Sequence, residues 1–381
     1  MKKFPIRGLI AHVRDLALIS TSVLAAGTFS ATAGGIERLP QSLAPLFESG
    51  NYVELTFGHL RPDVTGRDVG GPSTKNVGEN YSFFGFAYKH QVNDRVSAAL
   101  IVEQPFGVDM DYPADGSVMF GDTSSSVNAT TYTALLRYHG EGGFGVHGGL
   151  RASHMDGTIA LNGAALGAVD GYHLRLRDDW AAGYVLGASY ARPATATVIS
   201  LTYQSTIKHD FDTTESGPLA ALNGDSSTRI RVPQSWNLEA QTAISPTTLL
   251  MGSVRWVKWS EFKVDPERFY SVTGDGMVRL SDTTTYTLGL ARKLSDRWTG
   301  VATILYEPSS DMKETPLTPT NGRKGITLAG VYTQGPLKVT TAVGYFKLGD
   351  THPATGTPPV ERTDFTDSDT VAIAVRVGYS F

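Results

Sequence analysis

The last eleven residues, Val371 to Phe381 (VAIAVRVGYSF), alternate without a slip and end on an aromatic residue. Val371, Ile373, Val375, Val377, Tyr379 and Phe381 fall on one face, while Ala372, Ala374, Arg376, Gly378 and Ser380 fall on the other. That is the period of a β-strand with one greasy face. An apolar face closed by aromatics, backed by small and charged residues, suits a strand with lipid outside and a lumen inside. A soluble sandwich strand also alternates, so the rest of the chain must decide.

The amino-terminus has the parts of a secretory leader. Lys2, Lys3, Arg7 and Arg14 supply positive charge, Leu16 to Ala26 is apolar, and Ala31-Thr32-Ala33 is a small-residue cleavage site. An apolar stretch of about eleven residues is short of the roughly 20 that a spanning helix needs. The expected divisions are therefore a leader over 1–33, a short plug over 34–50 and a barrel over 51–381. No later stretch resembles a transmembrane helix, so membrane residence requires a closed barrel, which also satisfies every backbone group in lipid.

Of 33 Lys+Arg and 37 Asp+Glu, the leader holds four bases and one acid (Asp15), which leaves 29 against 36 and a net charge of about −7. That balance argues against nucleic acid as a partner. With no cysteine, disulfides, thiolate metal sites and a cysteine nucleophile are excluded.

Period-2 runs bounded by turn residues predict 14 strands, an even number as bacterial barrels have. They start near Asn51, Tyr81, Val96, Asn128, Phe144, Asp179, Ala196, Ser235, Thr248, Thr283, Trp298, Arg323, Leu337 and Asp369. Every second connection is short: 92–95, 139–143, 192–194, 245–247, 294–297 and 334–336. Those between them, about 62–80, 108–127, 158–178, 212–234, 263–282, 308–322 and 350–368, are long and rich in Gly, Asp, Thr, Ser and Pro. Short periplasmic turns against long extracellular loops is the asymmetry of an outer-membrane barrel, and it puts both termini in the periplasm. The predicted fold class is thus all-β: a 14-stranded antiparallel transmembrane β-barrel with a short N-terminal plug, in the outer membrane of a Gram-negative bacterium.

Several stretches resemble the FadL/TodX family of outer-membrane channels for long-chain fatty acids and other hydrophobic compounds. They are Gln91 to Gly107 (QVNDRVSAALIVEQPFG), Asp178 to Tyr190 (DDWAAGYVLGASY), Ile199 to Phe211 (ISLTYQSTIKHDF), Val232 to Trp236, Trp256 to Phe262 and Arg297 to Pro308. The resemblance implies that a hydrophobic ligand lands in a greasy groove between the third and fourth extracellular loops, enters the barrel, and leaves sideways through a gap in the wall. The implied substrate is a long-chain fatty acid or another hydrophobic small molecule, with aromatic or alkane hydrocarbons as the alternative. A general porin and an adhesive barrel remain as further readings.

Candidate residues follow for each step. For the groove they are Ile159, Leu161, Leu166 and Val169 in the third loop and Leu219 and Leu222 in the fourth, where exposed apolar residues would mark a binding site. The same residues could instead pack the loops against each other. In the third strand, Pro105, Phe106 and Gly107 are candidates for the lateral gate, because proline has no N–H to give the ladder and glycine leaves a gap. A strand that merely ends there is the plainer alternative. On the fifth strand, alternation sends His147 and Arg151 into the lumen, where a guanidinium could pair with a carboxylate headgroup or with an acid of the wall. The family's plug is usually longer and carries Asn-Pro-Ala beside the kink. Here Ala44-Pro45-Leu46-Phe47 is the nearest equivalent, with Leu43, Pro45, Leu46 and Phe47 as plug candidates.

Gly143-Phe144-Gly145-Val146-His147-Gly148 satisfies GxGxxG but runs into a strand rather than a helix. No G-x-S-x-G, no H-E-x-x-H and no histidines at metal-ligand spacing occur. The expectation is no enzyme, no metal and no cofactor, with outer-membrane lipid and the barrel assembly machinery, through the C-terminal strand, as partners of a monomer.

Overall fold

The computed structural model describes residues 36–38, 42–311, 314–356 and 358–381. The expected leader lies outside them. One antiparallel sheet closes on itself in fourteen strands, three of them broken into two segments. In chain order these are β1 (Tyr52–Asp63), β2 (Tyr81–Gln91), β3 (Val96–Glu103 and Gly107–Asp111), β4 (Ser124–His139), β5 (Phe144–Leu161), β6 (Tyr172–Arg192) and β7 (Thr197–Gln204 and Ile207–Ser216). They continue as β8 (Gly224–Val232 and Ser235–Ser245), β9 (Thr248–Val257), β10 (Thr283–Lys293), β11 (Trp298–Glu307), β12 (Arg323–Gln334), β13 (Leu337–Leu348) and β14 (Asp369–Ser380). β14 pairs with β1 from Tyr52↔Ser380 to Asp63↔Asp369, which closes the sheet into a barrel.

The C-terminal alternation holds: Val371, Ile373, Val375, Val377, Tyr379 and Phe381 are exposed on the outside, while Ala372 is fully buried. Around the barrel the outward positions form an apolar band, including Leu136, Leu150, Leu186, Leu201, Leu238, Leu288, Ile304 and Leu328. Aromatics mark its two borders: Trp180, Trp236, Tyr286, Tyr306 and Tyr345 on one side, Tyr138, Phe144, Trp298, Tyr379 and Phe381 on the other. On β6, Trp180 and Tyr190 are ten residues apart, the length a tilted strand needs to cross. Among the described residues no helix is long and apolar enough to cross a membrane.

The short connections all lie at one end, joined there by both termini of the barrel, where Asn51 and Phe381 exchange backbone hydrogen bonds at 3.2 and 3.0 Å. At the opposite end the wall outgrows the membrane. β5 has 18 residues and β6 has 21, about twice what a crossing requires. Loops predicted over 158–178 and 212–234 are accordingly in part strand. The connection over 263–282 carries α1 (Glu267–Thr273), which no sequence signal announced.

Candidate functional site

The wall is interrupted at β3. Its ladder with β2 runs from Gln91↔Ser97 to Phe86↔Val102 and stops, resuming only as an isolated bridge at Gly78↔Met110. On the other side β3 stays paired with β4, but Gln104, Pro105 and Phe106 stand against two residues of β4, between Glu103↔Thr131 and Gly107↔Asn128. This is a one-residue bulge, built where proline has no N–H to give the lost neighbour. Gly107 is required by close approach: a Cβ there would lie 2.7 Å from the Val127 carbonyl oxygen and 2.5 Å from the Arg38 guanidinium carbon.

The vacated edge of the bulge is taken from inside by the N-terminal segment. Arg38 N–H donates to Pro105 O at 2.8 Å, Gly107 N–H to Ile36 O at 2.9 Å, and Glu37 bridges to Phe106. Side chains reinforce this pairing. Arg38 binds Asp109 and Asn128 and lies 4.7 Å over the Tyr81 ring, while Glu37 pairs with Arg255 of β9 at 2.5 Å, both nearly buried. Phe106 turns inward against Trp259, their ring centroids 6.3 Å apart.

Directly behind the interruption is an apolar cavity, part of it open to solvent. Both edges of the break contribute to its lining, Tyr81 from β2 and Val108, Asp109 and Met110 from β3. The rest comes mainly from Ile36, Val127 and Ile159, from Phe262, Val264, Val278 and Leu280 of the β9–β10 connection, and from Leu317. Asp109 is the lining residue with a charge, and Arg38 neutralises it. Beside the cavity, burial holds the Tyr112 phenol well above its ordinary range, so it stays a neutral donor to Pro316 O at 3.0 Å.

Of the six groove candidates, Ile159 lines the cavity. Leu161, Val169 and Leu222 are buried in the adjoining cluster with Tyr172 and Phe269, and Leu166 packs against it half-buried. Leu219 stays exposed, at 41%.

His147 and Arg151 both point inward, as alternation requires, but outside the cavity lining. His147 Nε2 meets Thr202 Oγ1 at 3.0 Å, and its ring takes the Phe47 edge at 5.8 Å. Arg151 is 1% exposed, and its Nε and Nη2 have no hydrogen-bond partner among the described residues, although the Glu103 and Glu37 carboxylates act on it electrostatically.

Towards the end with the short turns, a single 3-10 turn, Ala44–Phe47, sits within the barrel. Leu43 and Leu46 bury against Ala87, Ala99, Ile101, Leu135 and Val185, Pro45 is buried, and Phe47 stacks under the Arg137 guanidinium at 4.5 Å. Lys89 Nζ donates to the carbonyls of Glu48 (2.6 Å) and Gly50 (2.9 Å), and Lys338 pairs with Glu48 at 3.3 Å. Below them is a polar hollow lined by Lys293, Asp296, Arg297 and Lys338 among others.

Sequence reading missed Ile36 to Arg38, Asp109, Arg255 and the β9–β10 residues. Only the stretch Trp256 to Phe262, which carried part of the family resemblance, reached into that connection.

The family model described as outer membrane protein transport protein (OMPP1/FadL/TodX) matches residues 49–381. No curated protein matches by sequence. Among solved structures, a Pseudomonas aeruginosa FadL homologue is similar with TM-score 0.71 at 14% identity, over 89% of this chain and 92% of that one. The Pseudomonas putida toluene transporter TodX gives 0.64 at 16%, over 89% and 92%. The Ralstonia pickettii toluene transporter TbuX gives 0.65 at 13%, over 94% and 97%. The chain belongs to the OMPP1/FadL/TodX family of outer membrane transport proteins, and its barrel is an outer-membrane channel for hydrophobic compounds.

Proposed function

We propose that this channel takes an uncharged hydrophobic molecule from the extracellular side into the apolar cavity and releases it sideways, between β2 and β3, into the membrane. The observation that carries the reading is that Tyr81, Asp109 and Met110 belong at once to the cavity lining and to the edges of the interrupted ladder. A ligand leaving this way never meets bulk water, so it keeps the roughly 0.8 kcal/mol per methylene that burial contributes. The alternative path, straight down the lumen, would break the contacts of Lys89, Glu48 and Lys338, and separating buried charges costs several kcal/mol.

A neutral substrate is supported by the lining, whose one charge is a carboxylate already paired with Arg38. The similarity to two proteins titled toluene transporters agrees with it. A second reading, passage of long-chain fatty acids, is favoured by Arg151, whose unpartnered buried N–H groups could receive a carboxylate.

Uptake of labelled toluene and of a labelled long-chain fatty acid, by cells lacking their own hydrophobic channels, tests both. Toluene uptake insensitive to Arg151→Leu supports the neutral reading. Fatty-acid uptake that Arg151→Leu abolishes replaces it with the second, and uptake of neither refutes both.

A further inference from the structure

Above one aromatic border the outer surface of the wall changes phase. On β7, Ile199 and Leu201 face out, but past the break at Ser205 and Thr206 the exposed residues are Lys208, Asp210 and Asp212, with Ile207, His209 and Phe211 buried. On β8 the same inversion falls at Pro233: Trp236 and Leu238 face out on one side of it, Arg231 and Arg229 on the other, with Ile230 and Val232 buried. Breaks of this kind re-aim side chains. Here two neighbouring strands slip at one level, which turns an apolar face inward and a charged face outward.

Within that charged face Lys208 stands directly opposite Arg231 in the ladder. Like charges facing each other across strands are destabilising. The nearby acids are committed elsewhere: Asp210 pairs with Arg229 at 2.5 Å, and Glu261 is held by Lys258 and the Thr206 hydroxyl, both at 2.9 Å. Lys208 and Arg231 lie five residues beyond Tyr203 and Trp236, whose rings are 4.9 Å apart in the aromatic border. At about 3.3 Å per residue and a tilt near 40°, that is roughly 12 Å further from the membrane centre. Long basic side chains bending back from there reach the headgroup layer.

We propose that Lys208 and Arg231 form a docking site for the phosphate groups of a phosphorylated lipid in the outer leaflet. Two cations facing each other, beside acids whose closest pairs are made with Arg229 and Lys258, one of the two a planar guanidinium suited to bidentate phosphate contact, match a multiply charged headgroup anchored at that depth. The site faces away from the cavity and is independent of what the channel carries.

The test titrates lipid-depleted protein in detergent with a bis-phosphorylated lipid A, its dephosphorylated counterpart, and inorganic phosphate, read by native mass spectrometry. Wild type should bind the phosphorylated lipid about tenfold or more tighter than Lys208→Gln/Arg231→Gln. Dephosphorylated lipid should bind wild type no better than the variant, and millimolar inorganic phosphate should not displace the lipid. Equal binding by the variant overturns the proposal, as does equal binding of dephosphorylated lipid, which would make the contact purely apolar. Displacement by inorganic phosphate would show a soluble-anion site and overturn the lipid assignment. Heat-modifiable mobility on gels confirms that the variant is folded, and a second pair, Lys208→Ala/Arg231→Ala, must give the same result.

Discussion

Gln104 Oε1 accepts the backbone N–H of Phe84 at 3.1 Å, across the one-residue bulge that interrupts the wall. A side-chain amide stands where a neighbouring strand's carbonyl would otherwise be. Phe84 itself is 41% exposed on the lipid-facing side, where no water could replace the lost acceptor. Gln104→Ala should therefore cost about 1 kcal/mol in urea unfolding from bilayers. It should also raise uptake, because it removes the amide that reaches across the opening to Phe84.

Gly107→Val places a side chain on the Val127 carbonyl and the Arg38 guanidinium at once. The N-terminal segment should be expelled from the bulge, breaking the Arg38–Asp109 pair. Trypsin should then cleave at Arg38, which is 3% exposed in the wild type and should resist the protease there.

Glu37 and Arg255 form a buried pair with exposures of 8% and 7%. Glu37→Leu or Arg255→Leu alone leaves one buried charge without its partner and should cost about 3–5 kcal/mol, whereas the double variant should lie much closer to wild type. A double-mutant cycle on unfolding free energy measures the difference.

In the last extracellular loop His352 Nδ1 meets Asp364 Oδ1 at 2.9 Å, and this hydrogen bond raises the imidazole above its ordinary 6.5. A group whose folded value is raised stabilises fully below its unfolded value and loses that contribution as pH rises through the folded one. The loop should thus be protected from protease below about pH 6.5 and become more susceptible above the raised value. Asp364→Asn should weaken the pH dependence, leaving the smaller pull of Glu314 and Glu361 on the imidazole.

The barrel was legible because lipid enforces a strict period. Strand starts at Tyr81, Val96, Phe144, Ser235, Thr248, Thr283, Trp298, Arg323, Leu337 and Asp369 coincide with observed segments. Where the wall leaves the membrane that rule inverts. Tyr172, Leu174 and Leu176 face inward while His173, Arg175 and Arg177 face water, so the strand was expected seven residues late, at Asp179. The bulge was announced by Pro105 and Gly107, which have local chemical reasons to break a ladder. The cavity was not, since Ile36, Val127, Phe262 and Leu317 meet only through closure of the barrel.

The lateral route is tested most directly by closing it. The chain has no cysteine, so Phe84→Cys/Gln104→Cys introduces a single pair across the opening. Oxidised to a disulfide, this variant should lose uptake of the hydrophobic substrate and regain it on reduction. Unchanged uptake with the disulfide formed would contradict release between β2 and β3.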